Sequence, residues 1–510
     1  MMLFWRRFGL GVVVILVCVA FALKALLLVD VTSLWSDELY SVGKSFQPSF
    51  RDLLAMLRND THPPVYYSLL WFWGQSVGQN AVTLRLLSWL AYGLGGIVMV
   101  FQAGALAQAR GVSRGRSLCL AALLAFCSPY PVRFAIEGKS YALLVLFVGL
   151  AWWWRRRLLQ SVESSTVFAR DLLLYGITVC LAALTHFYGL FLFAVAAAWD
   201  LWQQRWRLGG IATLALLPAL VWIAYAAAYL FRDSTGGWLA QPGFALLEET
   251  LARALGPWPF PKIGLFVLLM LALRRWGRLS AGHDDDEGHR RDLQPAVVAG
   301  SLVDQSGLIP SALMLLAVVA VSFVKPLAFS RYFVVLVPAA LPLIAVKLGG
   351  LRLNLRGSAL ALVALTALTV LWWQQSYIGL HPGLGSAGGR EQDNFRAISQ
   401  SLAGQVERYG RRSRLLNLSD HMEVAAGRML SNSMPWGDGA ALQKRLDQPP
   451  LPSVIWLASS GPDQSMRRRL KPLIKRAEQG GYTCREDGPQ IEYTRVLRCT
   501  LMTSSVGDSQ

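Results

Sequence analysis

The stretch His62–Gly78, HPPVYYSLLWFWGQSVG, decides how this chain is threaded. It is apolar but falls short of the ~20 residues that cross a bilayer. It is also crowded with Tyr66, Tyr67, Trp71, Phe72 and Trp73. Rings at that density suit the membrane–water interface better than hydrocarbon. Read as an interfacial helix, the stretch leaves the later loops in two alternating sets. One set holds Arg6 and Arg7, then ARGVSRGR, RRRLLQ and its loop on to Arg170, QRWRLG, RRWGRL with HRR, and KLGGLRLNLRG, and carries 19 Lys and Arg. The other runs from Asp30 through NDTHPP, then PVRFAIEGKS, THFYG, FRDSTGGW to PFPK, and KPLAFSRY, and carries 10 over a comparable length. Basic excess marks the cytoplasmic side. Had Pro64–Val77 crossed, every later loop would change sides and the excess would fall outside.

The rest of the chain fits that threading. Of its 510 residues, 54% are apolar and 16% charged, against about a quarter charged in soluble proteins. Apolar runs cover 9–29, 83–108, 117–133, 140–154, 172–186, 187–202, 210–230, 261–274, 308–324, 333–347 and 358–374. They predict about eleven spans, with the N-terminus in the cytoplasm and the C-terminus outside, in a multi-pass protein of the cytoplasmic (inner) membrane. The basic start at Arg6 resembles a signal peptide. Its apolar run is too long for one, and no small-residue cleavage site follows, so it reads as a retained first span. The net charge of +18 would suggest nucleic acid in a soluble protein. Here the basic residues sit at the ends of apolar runs, so membrane lipid is the expected partner and nucleic acid is excluded.

The expected fold is therefore mainly α: a polytopic transmembrane helical bundle over 1–379 with an outer first loop at 30–82, and a small extracytoplasmic α/β domain over 380–510. The tail mixes helical patterns such as DNFRAISQSLAGQVERYG with the strand-like RLLNLS and SVIWLAS. YTCREDGPQIEYTRVLRC reads as two strands around the turn Asp487-Gly488-Pro489. Cys484 and Cys499 flank it and outside the cytoplasm could close the hairpin, although sequence does not fix the pairing.

Five loops on the outer side hold the informative polar residues. Each also has a structural reading. In SLWSDELYSV, Ser36 would cap a helix whose first turn carries Asp37 and Glu38. In NDTHPPVYY, His62 precedes a Pro-Pro helix start, with Tyr66 just inside. VRFAIEGKSYALL carries Arg133, Glu137, Lys139 and Tyr141 between two spans, where cations commonly snorkel. LTHFYG places His186 and Tyr188 in a very short turn beside apolar residues, a functional position by default. KPLAFSRYFVVLVP carries Lys325, Arg331 and Tyr332, which could anchor headgroups. Together they put acids, imidazoles and cations on one membrane face. Cations there would neutralise a phosphate leaving group, and a carboxylate would take a proton from an acceptor hydroxyl.

In order, WSDELY, HPPVYYSLLWFWGQSVGQNAVTLRLLSWL, FAIEGKSYALL, LTHFYGLF and SRYFVVLVPAALPLIA resemble the GT-C membrane glycosyltransferases, over roughly Leu10–Leu348. The branch with protein O-mannosyltransferases and aminoarabinose lipid A transferases is the most similar. The resemblance implies an inverting glycosyltransferase that uses a polyprenyl-phosphate sugar at the outer face. It implies Asp37 as the catalytic base and Glu137 as the second acid, supporting the acceptor or a metal. It also implies Arg331 and Tyr332 at the donor phosphate, His62 in place of a Lys or His before the double Pro, and His186 and Tyr188 in a recurring turn. Gly138 and Lys139 depart from the small-residue-then-Arg pattern of relatives, which moves a phosphate contact to Lys139. Arg133 and Lys325 are further candidates for the phosphate, and Glu38, His62 and Tyr66 for substrate. No cofactor is required, although Asp37, His62 and Glu137 could supply ligands to a divalent metal ion. The acceptor could be a lipid, a glycan or a protein. The alternatives are a lipid-linked-sugar transporter and a non-catalytic partner in envelope glycan assembly.

Overall fold

The computed structural model describes residues 2–30, 34, 36–161, 166–232, 241–255, 301–351, 353–376, 413–417, 436–437, 446–447, 449–460, 463–486 and 494–502. The chain forms two compact units. The first comprises Met1–Leu27, Gln47–Gly78 and Thr83–Tyr377, and the second Leu28–Phe46, Gln79–Val82 and Ile378–Gln510.

The helices in chain order are α1 (Met2–Leu28), α2 (Ser36–Ser45), α3 (Phe50–Arg58), α4 (Val65–Val77), α5 (Ala81–Ala109), α6 (Arg114–Cys127), α7 (Pro129–Val132), α8 (Tyr141–Gln160), α9 (Thr166–Thr185), α10 (Phe187–Trp202), α11 (Trp206–Leu230), α12 (Phe244–Leu255), α13 (Leu302–Gln305), α14 (Leu308–Ser322), α15 (Val337–Gly349) and α16 (Leu355–Gln375). Short 3₁₀ turns cover Arg133–Ile136 and Tyr332–Leu336. α1, α5, α9, α11, α16, and α15 taken with its 3₁₀ turn are long and apolar enough to cross a membrane. A seventh joins them if α6 and the Pro129–Ile136 segment, bent by 48°, form one span. α10 and α14 are shorter apolar helices. The expected run 261–274 and the helical pattern DNFRAISQSLAGQVERYG lie outside the described residues. The fold is the multi-pass helical bundle expected. α4, at 13 residues, is too short to span.

In a bilayer the apolar faces of helices gain little from meeting one another, so helices associate through close packing of small residues. α9 buries Ala182 and Ala183 against this interface, and α10 buries Ala196 and Ala197. A Cβ on Gly189 would strike the carbonyl of Ala182 and the side chain of Leu144. That contact sets how tightly α10 folds back on α9.

One end of α8, α9 and α10 is tied by buried charge. Arg155 on α8 grips Asp200 on α10 through two parallel bonds, Nε to Oδ2 at 2.8 Å and Nη2 to Oδ1 at 2.6 Å. Its Nη2 also reaches Asp304 Oδ1 on α13 at 3.0 Å. Arg205 bridges the same two carboxylates, at 3.0 Å to Asp200 and 2.7 Å to Asp304. Trp199 Nε1 donates to Asp304 at 2.9 Å. Arg157 meets Asp171 of α9 at 2.7 Å. The triple arginine after WWW, which by sequence is a cytoplasmic span end, thus supplies Arg155 and Arg157 to a clamp.

The second unit contains α2, the mixed sheet and α17 (Asp463–Gln479). Strands β1 (Ser413–Asn417), β2 (Trp436–Gly437), β3 (Val454–Ser460), β4 (Tyr482–Glu486) and β5 (Thr494–Leu501) lie in the order β2-β1-β3-β5-β4. β1 pairs in parallel with β2 and β3, and β5 runs antiparallel to β3 and β4. Continuous apolar runs suit a strand covered on both faces. Val454, Ile455, Trp456 and Leu457 are such a run; they are buried, and β3 is central. α17 packs Leu470, Leu473, Ile474 and Ala477 on the sheet. Cys484 faces Cys499 across the β4–β5 ladder, and the two form a disulfide. α2 holds Asp37 and Glu38 in its first turn, with Ser36 as its first helical residue, and Glu38 is buried.

Candidate functional site

The polar residues of four sequence-distant segments of the first unit meet at the ends of α8, α9 and α10 opposite the arginine clamp. Each segment is shaped by a local break. Ser128 ends α6, and Pro129 and Pro131 start a short buried turn that continues as 3₁₀ to Ile136. This places Arg133, Glu137 and Lys139 inside the protein, all less than 10% exposed. The snorkelling reading therefore fails for these cations. His186 interrupts α9 and α10 with extended backbone, φ −158° and ψ 141°, and its side chain caps α10. In the turn after α14, Ser322 Oγ accepts the N–H groups of Leu327 and Ala328 at 3.2 and 2.9 Å. That fixes the loop leading to Arg331.

Charge and aromatic contacts join the segments. Arg331 Nη1 stands 3.7 Å from Glu137 Oε1. The His186 ring lies 5.0 Å from Tyr332, 5.7 Å from Tyr188, 5.9 Å from Tyr141 and 6.2 Å from His62, between centroids. Tyr188 Oη donates to the Leu327 carbonyl at 2.8 Å. Tyr67 packs on His62 at 5.8 Å and on Tyr66 at 5.1 Å. Burial, then the nearby His62 and Lys139, push the His186 pKa down to about 3. A neutral imidazole thus sits among cations.

His62, Tyr66, Arg133, Glu137, Lys139, His186, Tyr188, Arg331 and Tyr332 all belong to this region or border it through a shared neighbour. Lys325 does not join it. That side chain is exposed and makes no hydrogen bond or ion pair among the described residues. Asp37 and Glu38 lie on α2 in the second unit. Three residues escaped the sequence reading. Asp60, two positions before His62, touches its ring at 3.2 Å. Tyr130 Oη donates to the Ser330 carbonyl at 2.6 Å. Glu249 of α12 accepts from Ser330 Oγ at 2.9 Å. Asp60 was legible from its place beside His62. Tyr130 and Glu249 carry no motif.

Among the described residues no three His, Cys, Asp or Glu side chains converge to hold a metal. Glu137 is engaged by a guanidinium.

No family profile and no curated protein matches the chain. Solved structures do. ArnT from Cupriavidus metallidurans bound to undecaprenyl phosphate aligns with a TM-score of 0.57 and 15% identity, over 97% of this chain and 99% of that one. The apo form of the same protein aligns with a TM-score of 0.60 and 15% identity, over 95% and 97%. The chain has the ArnT fold. That is the GT-C architecture which the ordered motifs resemble, and its near-complete coverage takes in the strand-containing tail as well as the bundle. Archaeal oligosaccharyltransferase from Archaeoglobus fulgidus also aligns, with a TM-score of 0.42 and 14% identity, over 94% of this chain and 69% of that one.

Proposed function

We propose that this protein is an inverting glycosyltransferase that moves a sugar from a polyprenyl-phosphate donor to an acceptor hydroxyl at the outer face of the membrane. The observation that carries this reading is the buried Arg331–Glu137 pair, with Arg133, Lys139 and His186 around it, in a chain of ArnT fold. A phosphate near these cations would be stabilised as negative charge grows on it, and most where water is excluded. In the reaction, the acceptor oxygen forms a bond to the anomeric carbon as the carbon–oxygen bond to phosphate breaks. The electron pair of that bond leaves with the polyprenyl phosphate, and the acceptor proton goes to a carboxylate. The motif WSDELY assigns that proton to Asp37. In the first turn of α2 it is favoured as an anion by the helix dipole, as a base must be. One positioned base contributes roughly 10²–10⁴-fold, and alignment and phosphate stabilisation supply the remainder.

The assay is release of polyprenyl phosphate by the purified protein in nanodiscs, supplied with polyprenyl phosphates bearing different monosaccharides and with glycolipid, glycan or peptide acceptors. Asp37→Asn should bind the donor and fail to transfer. Wild-type rates from that variant would remove Asp37 from the mechanism. No release with any pairing would remove the transferase reading.

A further inference from the structure

α11 carries an exposed apolar stripe that ends under an arginine. Leu214, Leu217, Val221 and Tyr225 are exposed, while Ala212, Leu216 and Ala219 are buried. The stripe is bounded by exposed aromatic residues, Trp206 at one end and Tyr225 at the other. They are 19 positions apart, about 29 Å of helix at ~1.5 Å per residue. That matches the hydrocarbon thickness of a bilayer, about 30 Å, and rings at both of its edges form aromatic belts. Tyr225 therefore marks the level at which lipid headgroups begin. α11 leaves the clamp end of the bundle at Trp206, so this level is on the side of the candidate site.

α3 packs against α11 and sets the Arg58 guanidinium over the Tyr225 ring, 5.1 Å from its centroid. Two turns farther out, Arg232 lies over Tyr229 at 5.1 Å, and its Nε donates to the Ala228 carbonyl at 3.2 Å. Both arginines are exposed. A cation–π contact draws on the charge of a guanidinium but uses none of its N–H donors. Among the described residues neither arginine meets a carboxylate. The acids nearest to Arg58 in sequence, Asp52 and Asp60, are engaged by Ser49 and His62. Cations at the headgroup level, above lipid-facing apolar surface, complement an anionic lipid, and a guanidinium fork suits its phosphate.

We propose that Arg58 binds the phosphate of an anionic glycerophospholipid whose acyl chains lie along the Leu214–Val221 stripe, with Arg232 adding charge farther out. A phosphodiester headgroup stays at the wet edge of the bilayer, as these exposed arginines do. The buried Arg331 cluster suits a phosphate from which water is excluded instead. The inference does not depend on the transferase reading. It does reach toward the candidate site: Arg58 is the last residue of α3, Asn59 is the C-cap, and His62 follows three positions later. A headgroup held at Arg58 restrains that turn.

The test is native mass spectrometry of the full chain in neutral detergent, titrated with phosphatidylglycerol or with phosphatidylcholine of the same chains. The wild type should bind phosphatidylglycerol more tightly. Arg58→Gln should weaken that binding about fivefold, the worth of one arginine against an anionic lipid surface, and leave phosphatidylcholine binding unchanged. Arg58→Lys, which keeps the charge, should retain most of the preference. Tyr225→Leu, which keeps the apolar stripe but not the ring, should lose part of it. Lys325→Gln, at another exposed cation, should lose none. Equal affinity for the two lipids, an unchanged preference in Arg58→Gln, or an equal loss in Lys325→Gln would overturn the site. Tighter, Arg58-dependent binding of decaprenyl phosphate that displaces phosphatidylglycerol would overturn the phospholipid assignment and give Arg58 to the polyprenyl lipid. Hydrogen exchange at Asn59–His62 should slow when phosphatidylglycerol is added to the wild type and not to Arg58→Gln. The same response in both proteins would overturn the link from headgroup to turn.

Discussion

Arg331 Nη1 lies 3.7 Å from Glu137 Oε1, with Glu137 fully buried and Arg331 nearly so. The pair joins the loop before α15 to the turn before α8, and a cation there could turn from the carboxylate to an incoming phosphate. Losing one partner of a buried charge pair costs roughly 2–5 kcal/mol. Arg331→Ala should therefore lower kcat/KM for a polyprenyl-phosphate sugar by about two orders of magnitude or more. Arg331→Lys should recover part of this, since lysine keeps the charge but not the planar fork. The double variant Arg331→Ala/Glu137→Ala should lose less than the two single losses combined. Strict additivity would show that the pair does not act as a unit.

How much of this was readable beforehand depends on the range of the interaction. The bundle was legible because twenty-residue apolar runs and basic flanks are local signals. So was the β4–β5 hairpin, whose turn residues and flanking cysteines lie within one short stretch. The grouping of His62, Arg133, Glu137, His186 and Arg331 could be suspected only from their common side of the predicted topology. The partners of those residues could not. Asp200, near the end of the run 187–202, and Asp304, before the run 308–324, carry no motif, yet both close on Arg155 from more than forty residues away in sequence. Lys325 shows the opposite error: a cation one residue beyond the predicted run 308–324 looked equivalent to Arg331, but the turn held by Ser322 leaves it exposed.

The arginine clamp should matter for stability rather than for substrate recognition. Arg155 and Asp200 are both fully buried. Removing one partner of such a pair typically costs about 3–5 kcal/mol, because the other charge stays buried without it. Asp200→Ala should lower the thermal midpoint in detergent by several degrees, whereas the milder Asp200→Asn keeps one acceptor oxygen. In either variant the KM for a polyprenyl-phosphate sugar should stay near the wild-type value wherever the protein remains folded. A changed KM with an unchanged midpoint would mean that the clamp communicates with the site at the other end of α8 and α10.

In the second unit, the Cys484–Cys499 bond closes a separation of 15 residues between adjacent strands. A loop of that size restricts the unfolded chain by about 3 kcal/mol in the chain-entropy account. Cys484→Ser/Cys499→Ser, or reduction of the wild type, should speed hydrogen exchange in β4 and β5 while leaving α9 and α10 as protected as before. Equal protection of β4 with and without the bond would show that the sheet and the packing of α17 suffice.

His186 should give the protein a distinct acid sensitivity. In an unfolded chain histidine titrates near 6.5, whereas in the fold burial and the neighbouring His62 and Lys139 hold this ring near 3. Between those values the unfolded chain binds a proton that the folded one refuses. The contribution of this ring is therefore fully present above pH 6.5 and is lost progressively as the pH falls toward 3. The slope approaches about 1.4 kcal/mol per pH unit for a single group. His186→Asn removes the titration but keeps a side-chain acceptor for the α10 cap. The wild type should then lose more thermal stability than His186→Asn between pH 6.5 and 4.5, with the two differing by a constant amount above pH 7. Parallel losses across the whole range would mean that the ring takes up its proton in place, and that the neutral tautomer which caps α10 does not depend on burial.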